Sequence, residues 1–124
     1  IAYAQAQLGK PYVWGAEGPG AFDCSGLVMR AYQAAGIAIP RVTYQQWRYG
    51  VRIPPGQEQP GDLVFFRMEP DGPGHVGIVL GGGLMIHAPR TGDVVKVAPY
   101  GRADLVGFIR PPGSPAPGNA ASDR

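Results

Sequence analysis

The sequence predicts an α+β fold in which N-terminal helices pack on a mostly antiparallel sheet. Two observations carry this prediction. Apolar residues recur at helical spacing in the first part of the chain, whereas from residue 62 onward short runs of branched and aromatic residues alternate with Gly, Pro and Asp. Helices followed by a succession of strands are typical of the α+β class.

Three helices are predicted before residue 50. The first covers residues 1–8 and ends at Gly9. The second begins at Cys24, because the preceding Asp23 is a favourable N-cap residue. Thr43 is expected to cap a third, short helix with the sequence YQQWRY. The only cysteine of the chain is therefore expected in the first turn of a helix.

Strands are predicted in the segments DLVFFRM, HVGIVL, LMIHA, VVKVA and LVGFI, which Gly, Pro and Asp separate. Successive strands are expected to pair as a meander. The chain of 124 residues has room for one domain, which we place at residues 1–110. Residues 111–124, PPGSPAPGNAASDR, contain no large apolar side chain and are predicted to form a flexible tail rich in Pro and Ala.

Composition excludes several classes of function. The net charge of +2 comes from scattered arginines, which argues against nucleic acid as a partner. The longest uncharged apolar stretch, residues 76–86, is interrupted by glycines and is shorter than the roughly 20 residues of a membrane span. A single cysteine cannot form an internal disulfide. Because the chain opens inside a helical pattern, we expect a targeting segment to precede it in the full protein.

Cys24 is placed where a thiol could act as a nucleophile. The first turn of a helix offers unpaired N–H groups and the positive end of the helix dipole, and both favour the thiolate. The same N–H groups could receive an oxyanion. Ser25 and Gly26 are small and leave room for a substrate. The alternative is an inert, structural cysteine, which is the commoner role of a lone thiol.

The two histidines of the chain, His75 and His87, frame a predicted hairpin. If the three glycines at 81–83 form its turn, Leu80 pairs with Leu84, and His75 lies diagonally beside His87 on one face. The two rings would then be in reach of each other. A slip of one residue would place them on opposite faces.

In the predicted register, Gly77 faces His87 and leaves the space between the rings open. One imidazole could then accept the cysteine proton while the other fixes its tautomer. Two alternatives remain open. The histidines could be structural, or His75 and His87 could bind zinc together with Cys24 and Asp23, although an adjacent Asp-Cys pair chelates awkwardly.

Some further side chains have ambiguous roles. Trp14 is equally compatible with packing against the cysteine helix and with lining a cleft. Four arginines are expected on the solvated surface: Arg30, Arg48, Arg52 and Arg67.

Five motifs occur in order along the chain: YVWG at 12–15, FDCSGLV at 22–28, GDLVFF at 61–66, HVGIVLGGG at 75–83, and MIHAP at 85–89. In sequence and spacing they resemble the successive motifs of the NlpC/P60 cell-wall cysteine peptidases. The resemblance extends from about the first residue to residue 110 and does not include the tail.

The resemblance implies a papain-like α+β fold and a peptidoglycan endopeptidase that hydrolyses the bond between γ-D-glutamate and a diamino acid such as meso-diaminopimelate. By motif, Cys24 matches the nucleophile, His75 the base and His87 the orienting third residue. A thioester intermediate is implied, and no metal or organic cofactor is needed.

Four further residues match positions around the family's cleft. Tyr12 matches a tyrosine whose hydroxyl assists the oxyanion, and Asp23 and Ser25 match the pair that flanks the nucleophile and lines a substrate subsite. Arg41 corresponds more loosely to a cleft position. Ala16 replaces a second glycine that many members have, so the preference of the subsites stays open.

The implied partner is a peptidoglycan stem peptide, and the implied location is secreted or in the cell wall. We expect a monomer. Because a reactive thiol is hazardous to a cell's own wall, we expect an inhibitory N-terminal segment or a partner to cover the cleft in the full protein. Two alternatives share the motifs: a module that binds peptidoglycan without hydrolysis, and a related thiol amidase or acyltransferase.

Overall fold

Three helices precede a six-stranded antiparallel sheet, which confirms the predicted α+β class. The structure, a computed structural model, describes residues 1–114. Most of the predicted tail therefore lies outside the described residues. The elements are α1 (Ala2–Ala6), α2 (Cys24–Ala34), α3 (Thr43–Trp47), β1 (Val51–Ile53), β2 (Leu63–Glu69), β3 (Gly72–Gly81), β4 (Leu84–His87), β5 (Lys96–Pro99) and β6 (Leu105–Arg110).

The strand order in the sheet is β1-β6-β2-β3-β4-β5. The predicted meander is correct from β2 to β5. It is wrong for β6, which returns to the far side of β2 and pairs there with β2 and β1. β1 was not predicted, because this strand has only three residues, two of them exposed.

Local signals place the helices well. Asp23 is the N-cap of α2, and its side chain accepts a hydrogen bond from the Gly26 N–H, as the sequence predicts. The prediction that Thr43 caps α3 is wrong by one residue. Val42 occupies the N-cap without a side-chain hydrogen bond, and Thr43 is the first helical residue, with its side chain buried.

The histidine hairpin has the predicted register at its centre, where Ile78 pairs with Ile86. Near the turn the prediction is wrong, because Leu84 pairs with Gly81 instead of Leu80. An irregularity between Val79 and Gly81 absorbs this difference. Since it lies on the turn side of Ile78, it leaves the register on the histidine side unchanged.

The main core lies between the helices and one face of the sheet. Leu27 and Val28 of α2 are buried in one apolar cluster with Phe65 of β2 and Ile78 of β3. A smaller cluster includes Phe66 and covers the other face. The N-terminus of α2, with Cys24, is thereby held against β3.

A buried ion pair ties the end of β6 to the start of β2. The guanidinium of Arg110 donates to both carboxylate oxygens of Asp62, at 2.8 and 2.9 Å, and the Asp62 side chain is 3% exposed. Removing Asp62 leaves the guanidinium of Arg110, whose side chain is only 23% exposed, without its partner. We therefore expect Asp62→Ala to lower the free energy of unfolding by about 3 kcal/mol in urea denaturation.

Asp104→Ala is the matched control, because Asp104 pairs with Arg102 at the surface, where both side chains are 39% exposed. This change should cost less than about 1 kcal/mol. Equal losses for the two variants would show that the Asp62 pair does not hold the strands together.

Candidate active site

A cleft of about 570 Å³ opens at the N-terminus of α2. Its walls come from the loop before α2, from the start of α2, from the segment that leads into α3, and from β2 and β3. Five of the predicted site residues line it: Tyr12, Asp23, Cys24, Ser25 and Arg41.

Cys24 is the first residue of α2, but its thiol does not have the expected acidity. Burial and, secondarily, the Asp23 carboxylate raise the pKa of the Cys24 thiol to about 11. Hydrogen bonds from the backbone of Val76 and Ser25 oppose this shift without cancelling it. The backbone N–H at the helix N-terminus therefore acts in the expected direction, but burial outweighs it, and the thiol is protonated at neutral pH.

His75 and His87 contact each other, as the hairpin register predicts. Nε2 of His75 lies 2.8 Å from Nδ1 of His87, and both residues are 4% exposed. Gly77 lies opposite the pair, and a Cβ there would come within 2.6 Å of Met85 Sδ and 3.4 Å of His87 Cβ. The glycine thus allows this packing beside the rings.

Both imidazoles are neutral at pH 7. Burial, followed by the neighbouring His87, lowers the pKa of His75 to about 3. Burial, followed by Arg102, lowers the pKa of His87 to about 4. One ring must therefore donate the shared hydrogen bond to the other. When Nε2 of His75 donates, its Nδ1 carries a lone pair and can act as a base.

The thiol is positioned by the backbone of β3. The hydrogen bond from Val76 places the sulfur beside the residue that follows His75 in the chain. Among the side-chain hydrogen bonds of residues 1–114, none joins the Cys24 thiol to an imidazole. The structure thus brings the imidazole rings of His75 and His87 into contact and holds the Cys24 sulfur at the backbone of Val76, the residue that follows His75. Catalytic hydrogen bonds commonly tighten only when substrate is bound.

Arg41 joins the acidic and hydroxyl groups beside the thiol. Its guanidinium donates to both carboxylate oxygens of Asp23, at 3.1 and 2.8 Å, and to Ser25 Oγ at 2.9 Å. It also donates to Glu17 at 3.0 Å. Sequence reasoning did not identify Glu17, because its contribution depends on how the loop before α2 folds back toward Arg41.

Two aromatic residues shape one wall of the cleft. Burial, and then the neighbouring Cys24 and Asp23, raise the pKa of Tyr12, so its hydroxyl stays protonated and can donate. Trp14 is 84% exposed. Of the two roles considered for Trp14, packing against the helix is wrong and lining the cleft is correct.

Arg67 also lines the cleft, so the prediction that it belongs to the solvated surface is incomplete. Its guanidinium donates to the Gly74 carbonyl at 2.9 Å and to Glu69 at 3.0 Å. The sequence did not indicate this position, because it follows from the pairing of β2 with β3, in which Phe66 is opposite His75 and Arg67 lies close to Gly74.

The zinc alternative has no geometric support in the described part of the chain. No three side chains of His, Cys, Asp or Glu are grouped there as metal ligands. In the same residues, no helix combines the length and the apolar character that crossing a bilayer requires.

The buried histidines predict how stability depends on pH. Because folding lowers both imidazole pKa values, the unfolded chain binds protons below about pH 6.5 while the folded chain does not. The free energy of unfolding should be highest above that pH and fall as the pH decreases. From pH 7 to pH 5 the loss should be about 2 kcal/mol for each imidazole.

Urea denaturation of the wild type and of His87→Asn at both pH values measures this dependence. In His87→Asn, the decrease in the free energy of unfolding between pH 7 and pH 5 should be about half as large as in the wild type. An identical pH dependence of the two proteins would show that His87 is not held neutral by the fold.

The sequence and the fold of the chain are similar to those of known proteins. The sequence model of the NlpC/P60 family matches residues 9–105. The chain is 45% identical over 113 residues to the "probable endopeptidase p60" of Listeria innocua, an alignment that covers 89% of this chain and 24% of the relative. It is 44% identical over 99 residues to a "probable endopeptidase" of Mycobacterium tuberculosis, covering 80% of this chain and 25% of that protein.

Solved structures share the fold. The NlpC/p60 domain of the peptidoglycan hydrolase SagA superposes with a TM-score of 0.80 at 40% identity, covering 88% of this chain and 93% of that chain. The peptidoglycan hydrolase RipB of Mycobacterium tuberculosis superposes with a TM-score of 0.77 at 36% identity, covering 88% and 60%. The chain spans about a quarter of the length of the curated relatives. The chain belongs to the NlpC/P60 family.

Proposed function

We propose that this chain is a cysteine endopeptidase that hydrolyses the bond between γ-D-glutamate and a diamino acid in peptidoglycan stem peptides. The observation that carries the proposal is the contact between the neutral imidazoles of His75 and His87. His75 directly precedes Val76, whose backbone forms a hydrogen bond with the Cys24 thiol. Support also comes from relatives named as endopeptidases and peptidoglycan hydrolases. The catalytic domain would comprise residues 1–110, with residues 111–124 as a tail.

Catalysis would begin from a neutral thiol and a neutral imidazole. Nδ1 of His75 accepts the Cys24 proton as the sulfur attacks the γ-glutamyl carbonyl. The Cys24 N–H and the Tyr12 hydroxyl donate to the resulting oxyanion. The C–N bond then breaks, His75 protonates the leaving amine, and a thioester remains on Cys24. Water hydrolyses the thioester and restores the thiol.

His87 would orient His75 and stabilise its charge. When His75 accepts the thiol proton, its Nε2–H continues to donate to Nδ1 of His87, at the 2.8 Å separation of the resting pair. This acceptor lowers the cost of forming the imidazolium in a buried place. His87 Nδ1 must then carry the lone pair and Nε2 the proton.

The unit of Asp23, Ser25 and Arg41 would bind the acyl part of the stem peptide, which is transferred to Cys24. The carboxylate, the hydroxyl and the guanidinium lie together in one wall of the cleft, so they offer acceptors and donors at fixed positions. A peptide amine and the free carboxylate of γ-D-glutamate are groups of matching chemistry.

The runner-up function is a peptidoglycan-binding module without turnover. The raised pKa of the Cys24 thiol favours it, because a protonated thiol is a poor nucleophile unless a base accepts its proton. A related thiol amidase or acyltransferase would use the same nucleophile on other substrates.

Incubation of the chain with synthetic L-Ala-γ-D-Glu-meso-diaminopimelate-D-Ala distinguishes these functions. The endopeptidase should release L-Ala-γ-D-Glu, detected by liquid chromatography, and prior alkylation with iodoacetamide should abolish the release. Binding of the intact peptide without fragments would instead support the binding module. Transfer of the acyl group to an added amine, without hydrolysis, would support an acyltransferase.

The same proposal includes a secreted or cell-wall location and a monomeric state. It also includes an inhibitory N-terminal segment or partner in the full protein. Covering of the cleft would make the full protein less active than this chain on the same peptide. Equal activities would contradict that part of the proposal.

A further inference from the structure

We propose that Arg67 and Glu69 form a subsite for the far end of the diamino acid and select diaminopimelate over lysine. This inference rests on the proposed function, because it names the leaving group of that reaction. Arg67 lines the same cleft as Cys24, and its guanidinium is paired with the Glu69 carboxylate at 3.0 Å.

The Arg67–Glu69 pair packs against the backbone of Gly74, which has no side chain. A Cβ built on Gly74 would lie 2.6 Å from Glu69 Oε2 and 2.7 Å from Arg67 Nη2, so a side chain at this position would displace both charged groups. The hydroxyl of Tyr44, which also lines the cleft, donates to the other oxygen of Glu69 at 2.6 Å. The Tyr44 hydroxyl and the Gly74 carbonyl thus hold the ion pair at the backbone of the residue before His75.

The backbone of Arg67 indicates that the side chain itself is needed here. Its φ of 57° lies in the left-handed region that favours glycine, and within residues 1–114 no other residue except glycines has a positive φ. The Arg67 N–H donates to the carbonyl of Asp104, which immediately precedes β6. A position that suits glycine therefore carries an arginine turned toward the cleft.

Arg67 has donors to spare for a ligand. Nε is used by Glu69 and Nη2 by the Gly74 carbonyl, whereas Nη1 donates to no residue in the described part of the chain. The side chain is 56% exposed, so a ligand can reach these N–H groups. Because Glu69 neutralises the arginine, the subsite presents both charges rather than a net positive one.

A subsite with both charges fits the second amino-acid centre of diaminopimelate. This centre carries a carboxylate and an ammonium on one carbon, which match Arg67 and Glu69 respectively. Lysine ends in an ammonium alone and leaves the arginine without an anion. Since His75 protonates the leaving amine in the proposed reaction, the diamino acid departs on the histidine side, where Gly74 holds the pair.

The test compares three synthetic peptides, L-Ala-γ-D-Glu-X, in which X is meso-diaminopimelate, its far-end carboxamide, or L-lysine. The wild type should cleave the diaminopimelate peptide with a kcat/KM about ten-fold higher than the other two, the size expected for one charge-assisted contact at a half-exposed site. Arg67→Gln should lower the value for the diaminopimelate peptide to the level of the other two, so that the ratio falls to about one. Arg48→Gln, which removes an exposed arginine bonded to a backbone carbonyl, is the matched control and should keep the wild-type ratio.

Binding measured by calorimetry in Cys24→Ala separates the subsite from the reaction. This variant should bind the diaminopimelate peptide about ten-fold more tightly than the lysine peptide, and adding Arg67→Gln should remove the difference. A wild type that cleaves no peptide would overturn the proposed function, whereas the binding ratio would still decide the inference. Equal binding of the three peptides, or an equal loss of kcat/KM on all three in Arg67→Gln, would overturn the inference and leave Arg67 as a support for the strand before His75.

Discussion

Replacing Cys24 with alanine is expected to abolish cleavage of the γ-glutamyl bond, lowering kcat/KM by at least about 10³-fold. The expected loss is large because the proposed reaction has no other nucleophile to form the thioester. Release of L-Ala-γ-D-Glu from the synthetic stem peptide measures it. The variant should unfold at the same urea concentration as the wild type, since one sulfur atom at the N-terminus of α2 contributes little to the main core.

Cys24→Ser is the matched variant, because it keeps the size and the hydrogen-bonding capacity of the side chain. It should be nearly as inactive as the alanine variant, since the hydroxyl is a much weaker nucleophile than the thiol. Wild-type rates in either variant would show that the reaction does not pass through Cys24.

The second large effect is expected for His75→Asn, which should lower kcat by about 10²- to 10⁴-fold. Asparagine preserves polarity and approximate size but cannot accept the thiol proton. Because Cys24 and His75 would act as a unit, the double variant Cys24→Ala/His75→Asn should be no slower than the single variants. Steady-state rates on the same peptide provide the comparison.

His87→Asn is the informative partner experiment. Its amide oxygen can still accept a hydrogen bond from Nε2 of His75, so the rate should fall by only about ten-fold, whereas His87→Leu should lower it further. If both His87 variants kept the wild-type rate, the contact between the two rings would have no part in catalysis.

The parts of the fold that could be predicted depend on local signals. Asp23 is a short acceptor placed before an apolar helical pattern, and the structure has it as the cap of α2. The glycine run between two apolar strands locates the hairpin, and the register at its centre is as predicted although the pairing at the turn is not, so the contact between His75 and His87 was predictable. The return of β6 to the edge of β2 was not, because sequence order does not reveal which strand edge a later segment will reach.

The protonation states of the site residues were harder to predict than which residues form the site. A helix N-terminus favours a thiolate, but the pKa of Cys24 also depends on burial and on the Asp23 charge, which act through tertiary packing. Arg67 was missed for a similar reason. The left-handed backbone conformation of Arg67 directs its side chain to the cleft, and no local sequence pattern predicts that conformation. Its contact with Gly74 forms only when β2 and β3 pair.

Mass spectrometry of purified peptidoglycan digested with the chain tests the proposed function most directly, because it identifies the bond that is cut. We predict fragments that end in γ-D-glutamate, together with peptides that begin with the diamino acid, and their loss when Cys24 is replaced. Stem peptides that stay intact, or fragments cut at a different bond, would contradict the account.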